Sequence, residues 1–135
     1  MRNEPHPSEY AAIPAMTDEE LLEYFLFRIY EADEVWGLKE GPHWITREID
    51  GRETLPVWPF KRFAEDAAVG DWQNFIPLPE SLEFFIYQIL NKLAARDVII
   101  EIMPRATGIG CLIAARRLFT YLEDMRESGE CSVGD

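Results

Sequence analysis

A chain of 135 residues with a formal net charge of −12 is long enough for one domain that buries roughly two-thirds of its unfolded surface without staples. Its 47% hydrophobic and 13% aromatic content excludes wholesale disorder. The acidic balance excludes the clustered Lys and Arg that non-specific binding to nucleic acid or an anionic membrane requires, and leaves solubility, a basic protein partner or mimicry of a nucleic-acid surface.

Cys111 and Cys131 make no close pair, and two histidines are too few for the usual zinc sets. The sequence therefore implies no metal and no cofactor. Met1-Arg2-Asn3-Glu4-Pro5 leads into no apolar segment of a signal peptide, and no run approaches the ~20 apolar residues of a membrane span. A cytoplasmic location is the expectation.

Taken in order, residues 1–15 carry Pro5, Pro7 and Pro14 and read as a loosely ordered lead-in, with Tyr10 to Ile13 ordered if that part packs on the body. Thr17-Asp18-Glu19-Glu20 is a capping box, and its acidic turn suits the helix dipole. Leu22, Phe25, Leu26 and Ile29 then repeat at helical spacing, which predicts a helix over 18–32. Val35 to Leu38, Trp44 to Ile49 and Arg52 to Trp58 read as a meander of three antiparallel strands, the last two joined by the type I′ signal Asp50-Gly51. Pro56 has no N–H to give to a ladder, so this part of its strand belongs at an edge, an end or a bulge. Pro59 can open a short helix to Ala68.

Pro77 and Pro79 punctuate the entry to a helix over 80–95, whose stripe is Leu82, Phe85, Ile86, Ile89, Leu90 and Leu93. Val98 to Met103 is the most apolar strand and the one expected at the centre of the sheet. After the loop Arg105 to Gly110, Cys111 to Ile113 reads as a brief strand, and a helix covers 114–127 with Gly129 as its stop. Strands grouped between helices predict an α+β fold: a single two-layer domain over 16–128, with an antiparallel sheet of about four or five strands against three or four helices. Residues 129–135 read as a flexible tail.

The chemistry-bearing patterns are weak. Thr107-Gly108-Ile109-Gly110 lacks the fuller glycine pattern and the Lys of a phosphate loop, so it reads as a plain turn that Arg105 could help to meet an anion. His43, Arg47, Glu48 and Asp50 include a His and carboxylates but no nucleophile. Glu31, Asp33 and Glu34 lack the ligand spacing of a cation loop and read as a solvated cluster. Trp36, Trp44, Trp58 and Trp72 are the distinctive feature, readable as core or as an aromatic patch of the kind that anchors binding.

Trp36-Gly37-Leu38, Leu55-Pro56-Val57-Trp58-Pro59, Gly70-Asp71-Trp72, Leu82-x-x-Phe85 and Asp97-Val98 running to Pro104 together resemble a small bacterial family of unknown function, over about residues 18–125. The resemblance implies a compact bacterial cytosolic α+β domain and transfers no catalytic residue. No catalytic set emerges from the residues either. The leading reading is a protein-interaction module, an immunity or inhibitor protein for a basic partner being one concrete form, with homodimerisation also open. Its binding residues would be Trp58, Trp72 and Trp36, with Arg47 and Arg105. The alternative is a small-ligand domain or weak enzyme whose pocket lies between Trp58, Trp72 and the loop from Arg105 to Gly110.

Overall fold

The computed structural model describes residues 5–105 and 108–128. Ala106 and Thr107 of the glycine-bearing loop, the expected stop at Gly129, Cys131 and the expected tail 129–135 lie outside the described residues. In chain order the elements are α1 (Pro7–Ala12), a 3-10 turn (Ile13–Ala15), α2 (Asp18–Ala32), β1 (Glu34–Glu40), β2 (His43–Trp44), β3 (Arg47–Ile49) and β4 (Arg52–Val57). They continue with α3 (Lys61–Ala67), a 3-10 turn (Gly70–Trp72), β5 (Ile76–Ser81), α4 (Leu82–Phe84), a π-helical segment (Phe85–Leu90), α5 (Asn91–Ala95), β6 (Ile99–Ile102), β7 (Cys111–Ala114) and α6 (Ala115–Ser128). The fold is α+β.

The strands form two sheets rather than one, ordered β2-β1-β5 and β3-β4-β6-β7. The expected wholly antiparallel sheet is corrected at its centre, where β4 and β6 run parallel with Thr54 opposite Ile99 and Val57 opposite Ile102. A parallel neighbour needs a long crossover, and here it comprises α3, β5 and the helix that follows. β6 does lie between two strands, as its apolar run predicts.

The expected strand from Trp44 to Ile49 is divided between the sheets. His43 and Trp44 pair with β1, the Ile45 amide still donates to Leu38 O (2.9 Å), and Arg47 already pairs with Thr54 of β4. The turn at Asp50 and Gly51 has positive φ at both residues (52° and 80°), as a type I′ hairpin requires.

One backbone bridge joins the sheets: Trp36 and Trp58 exchange both amide bonds, each 2.9 Å. This explains Pro56. Residues 54, 56 and 58 direct their backbone groups to the same side of β4, and there Thr54 meets Arg47 and Trp58 meets Trp36. Pro56 falls in the gap between those partners, where no N–H is wanted.

The same logic corrects the reading of Pro77 and Pro79, which stand inside an edge strand and not at a helix entry. Trp36 and Leu38 turn their backbone groups away from β5, and their cross-strand partners are Pro79 and Pro77. Neither proline is asked for an amide by β1, and both deny one to any strand approaching from outside. The helix therefore starts at Leu82, with Ser81 Oγ accepting from the Phe84 amide (3.2 Å).

The predicted capping box is present. Thr17 Oγ1 accepts from Glu20 N (3.1 Å), and Glu20 Oε1 accepts from Thr17 N (2.9 Å). Leu21, Phe25, Ile29 and Ala32 form the buried face of α2, so Leu21 takes the place expected for Leu22, which is half-buried like Leu26. In the central helix the wider π turn keeps Phe85, Ile86 and Leu90 all buried, while Ile89 is only half-buried. These side chains meet Trp58, Leu38, Leu55, Ile100, Ile102 and Leu118 in one core.

Gly37 marks the tightest approach in this core: a β-carbon there would lie 1.8 Å from Trp44 Cζ3. Gly37→Ala must displace the indole, and is expected to lower stability in urea unfolding by about 1–3 kcal/mol, the usual cost of overpacking. Gly108→Ala, with open space around its β-carbon, should stay within about 0.5 kcal/mol of the parent.

Candidate functional site

The tryptophans do not form a surface patch. Trp58 is 2% exposed, and Trp36, Trp44 and Trp72 are half-buried. Trp58 meets Trp72 edge to face at 6.1 Å, a favoured geometry for aromatic quadrupoles. Trp72 gets there because the 3-10 turn Gly70–Trp72 returns the chain over the end of β4; Gly70 has φ of 60°, which only glycine adopts freely.

Arg47 lies over the Trp72 ring, 5.2 Å from its centre. Its guanidinium also grips Glu101 with both Nε (2.9 Å to Oε1) and a second, shorter contact from Nη2 to Oε2. Glu101 is fully buried on β6 and also accepts from the Gly110 amide (3.1 Å). A buried carboxylate is tolerated only when paired and hydrogen-bonded, and three donors meet that need here. Gly110 can reach it because it has no side chain: a β-carbon there would stand 2.3 Å from Ile102 O. Glu101 is the residue that sequence reasoning passed over. Its signal is visible in hindsight, as one charge within Val98-Ile99-Ile100-Glu101-Ile102-Met103.

A partly enclosed cavity of about 310 Å³ borders Trp58. Tyr10, Ile13 and Pro14 form one wall, Phe63, Asp66 and Ala67 of α3 a second, and Met103, Pro104 and Arg105 a third. The lining is mainly apolar. Tyr10 stacks on Phe63 (5.5 Å between ring centres) and its hydroxyl bonds to Asp66. Met103 is buried with φ of 53°, a strained conformation for a bulky residue and one that concentrates at functional positions. It is held there by its amide bond to Val57 O (3.0 Å).

Of the sequence candidates, Trp58 and Arg105 thus share this cavity, Trp72 backs Trp58, Arg47 belongs to the Glu101 pair, and Trp36 to the bridge between sheets. Arg105 already donates to Ile109 O (2.6 Å), Met16 O (3.3 Å) and Asp18 Oδ1 (2.8 Å). The chain segment from His43 to Asp50 is dispersed: His43 is exposed on β2, Arg47 turns inward and Asp50 occupies the hairpin turn. Glu31 pairs with Arg28 (3.1 Å), and Asp33 caps α2. Among the described residues no group of three or more His, Cys, Asp or Glu side chains is placed to hold a metal ion, and no helix is long and apolar enough to cross a membrane. Of the other pocket residues, Tyr10 to Ile13 are expected from the sequence to be ordered if they pack on the body, and Phe63 carries no signal beyond its apolar character.

Residues 22–122 match a family described as "Protein of unknown function (DUF2750)". The chain belongs to the DUF2750 family. No curated protein and no solved structure matches it. The DUF2750 match includes Trp36, Arg47, Trp58, Phe63, Trp72, Glu101, Met103 and Arg105, and leaves the cavity wall at Tyr10, Ile13 and Pro14 outside it.

Two outcomes are expected. Arg47→Ala, which orphans the Glu101 carboxylate, should cost roughly 2–4 kcal/mol in urea unfolding, less than for a wholly buried pair because Arg47 is a third exposed; adding Glu101→Gln should recover part of that loss. Burial, and secondarily Asp18, pushes the buried Cys111 thiol upward, with Arg105 opposing. A raised folded pKa means full stability below the unfolded value, 9.0, and loss as pH rises through the folded one. In a Cys131→Ser background, Cys111 should resist iodoacetamide at pH 8 until urea is added, and stability should decline above about pH 9, less steeply in Cys111→Ala.

Proposed function

We propose that this DUF2750 protein is a small-ligand-binding domain whose ligand occupies the cavity between Trp58, Phe63 and Met103. The observation that carries this reading is the cavity itself: its volume, about 310 Å³, falls at the lower end of ligand pockets, and it combines an apolar wall with few polar groups in the manner of such sites. Because the Asp66 carboxylate and the Arg105 guanidinium already have partners inside the protein, the ligand that fits is a flat, mainly apolar molecule with at most one polar group. Among the described residues the cavity lining places no nucleophile beside a base, which favours binding over catalysis. A bacterial cytoplasmic setting accompanies it as part of the proposal.

A second reading, a module for a basic protein partner such as a toxin, draws on other residues. Ile76 and Leu78 on the edge strand β5 are exposed at 59% and 39%, as is Val69 ahead of the Gly70–Trp72 turn at 65%, and the charge of −12 would steer a cationic partner. The prolines of β5 exclude strand addition as the docking mode, so such a partner would meet side chains alone.

Thermal unfolding with indole, benzoate and 4-hydroxybenzoate tests the first reading. A probe at tenfold excess over its Kd should raise Tm by roughly 3–8 °C. Ile13→Trp, which fills the cavity from its wall, should abolish the shift while leaving the unliganded Tm near the parent value. Absence of any shift, or an equal shift in Ile13→Trp, contradicts the reading.

A further inference from the structure

The cavity has a wall of a different kind from the others. Tyr10, Ile13 and Pro14 come from α1 and the 3-10 turn behind it, and no residue of either element is buried. A helix of six residues does not persist alone in water, so α1 exists by virtue of what holds it down. Its hold combines polar and aromatic contacts with one apolar anchor, Ile13, which is half-buried against the core. Glu9 pairs with Arg28 of α2 (2.8 Å), Tyr10 stacks on Phe63 and bonds to Asp66, and Arg62 lies over the Tyr10 ring at 5.6 Å.

Two further features bear on how firmly it sits. Tyr24 of α2 packs edge-on against Phe63 at 6.4 Å, and its hydroxyl is buried without a hydrogen-bond partner among the described residues. Burial raises the pKa of this hydroxyl, and the two neighbours beside it act in opposite directions, Glu9 raising it further and Arg28 lowering it. The junction with α2 is the second feature. Met16 is extended (φ −70°, ψ 142°) between the 3-10 turn and the Thr17 cap, and its carbonyl accepts from Arg105, itself a cavity residue.

We propose that residues 7–15 are a hinged lid over the Trp58 cavity, opening about Met16 and Thr17, and that Arg105 ties the hinge to the cavity's interior. The lid, which lies outside the stretch 22–122 that matches the family, covers apolar surface supplied by residues within it. Lifting and melting are one event, because α1 has no stability of its own. A ligand bearing an anionic group at Arg105 would compete with Met16 O and Asp18 for the guanidinium, and so loosen the hinge as it binds. What enters rests on the ligand-binding reading; the opening itself does not.

Native-state hydrogen exchange on the full chain, without ligand, tests the lid. The amides of Tyr10, Ile13 and Met16, bonded to His6, Glu9 and Ile13 carbonyls, should exchange as one group. They should do so at least on the order of a hundredfold faster than those of Phe25 and Ile100, through sub-global opening. Tyr10→Ala should speed the group by roughly tenfold, the size of one lost hydrogen bond and one ring stack, and Tyr10→Phe by less, with α2 and β6 unchanged. Exchange of the group only at the rate of global unfolding, or loss of protection in β6 in both Tyr10 variants, would overturn it. Indole association then separates the two ideas. Faster association in Tyr10→Phe than in the parent supports the lid as a gate, and binding with no independent exchange of residues 7–15 leaves the ligand reading standing and removes the lid. If indole fails to bind, the exchange pattern alone decides.

Discussion

A carboxylate with no access to water must be met by donors, and the buried Glu101 on the central strand sets that demand for the rest of the molecule. The donors come from parts of the chain distant in sequence. Arg47 reaches in from β3, and the Gly110 amide closes from the loop before β7. Arg47 in turn lies over Trp72, Trp72 meets Trp58, and Trp58 exchanges backbone bonds with Trp36 in the other sheet. One continuous set of contacts thus runs from the last hairpin through the four-stranded sheet to the three-stranded one. Replacing such a pair by apolar groups can be neutral or stabilising, so its value here is positional: it fixes how the two sheets and the Gly70–Trp72 turn lie against Trp58.

That placement gives Trp58 two unlike neighbourhoods. It is packed by Trp72 within the polar network, and it also borders an apolar cavity closed by Phe63, Met103 and the N-terminal helix. The strained backbone at Met103 directly follows β6, and the obligatory glycine at position 110 directly precedes β7. The positive φ at Met103 turns the chain toward Pro104 and Arg105 at the cavity, and the missing side chain at Gly110 lets its amide reach Glu101. The proposed ligand site is therefore built largely from residues within the stretch that matches the family, and only its outer wall, the proposed lid, comes from before it.

Much of the fold was legible in the sequence where the signal was local. The Thr17 capping box, the Asp50-Gly51 turn, the burial of the Leu82 to Leu93 stripe apart from Ile89 and the central place of Val98 to Met103 each follow from a short-range rule, as does the interrupted ladder at Pro56. What was not legible depends on partners far away in sequence. Pro77 and Pro79 look like helix punctuation until β1 is seen to direct its backbone groups elsewhere at their register. The division of residues 43–49 between two sheets is decided by Leu38 and Thr54, and the parallel pairing of β4 and β6 by a crossover that no local pattern announces. In the candidate site, Trp58 and Arg105 were named from the sequence, but Glu101 was read as one more strand residue and Tyr10 as part of a lead-in. A buried charge and an aromatic cover are recognised only once their surroundings are known.

The measurement closest to the central claim is a titration of the methyl and indole resonances of the protein with indole, followed by nuclear magnetic resonance. If the Trp58 cavity is the binding site, the shifts that saturate will be those of the Met103, Ile13 and Ala67 methyls and the Trp58 indole, while Ile76 and Leu78 stay still. Saturating shifts at Ile76 and Leu78 with none at Met103 or Trp58 would contradict the account.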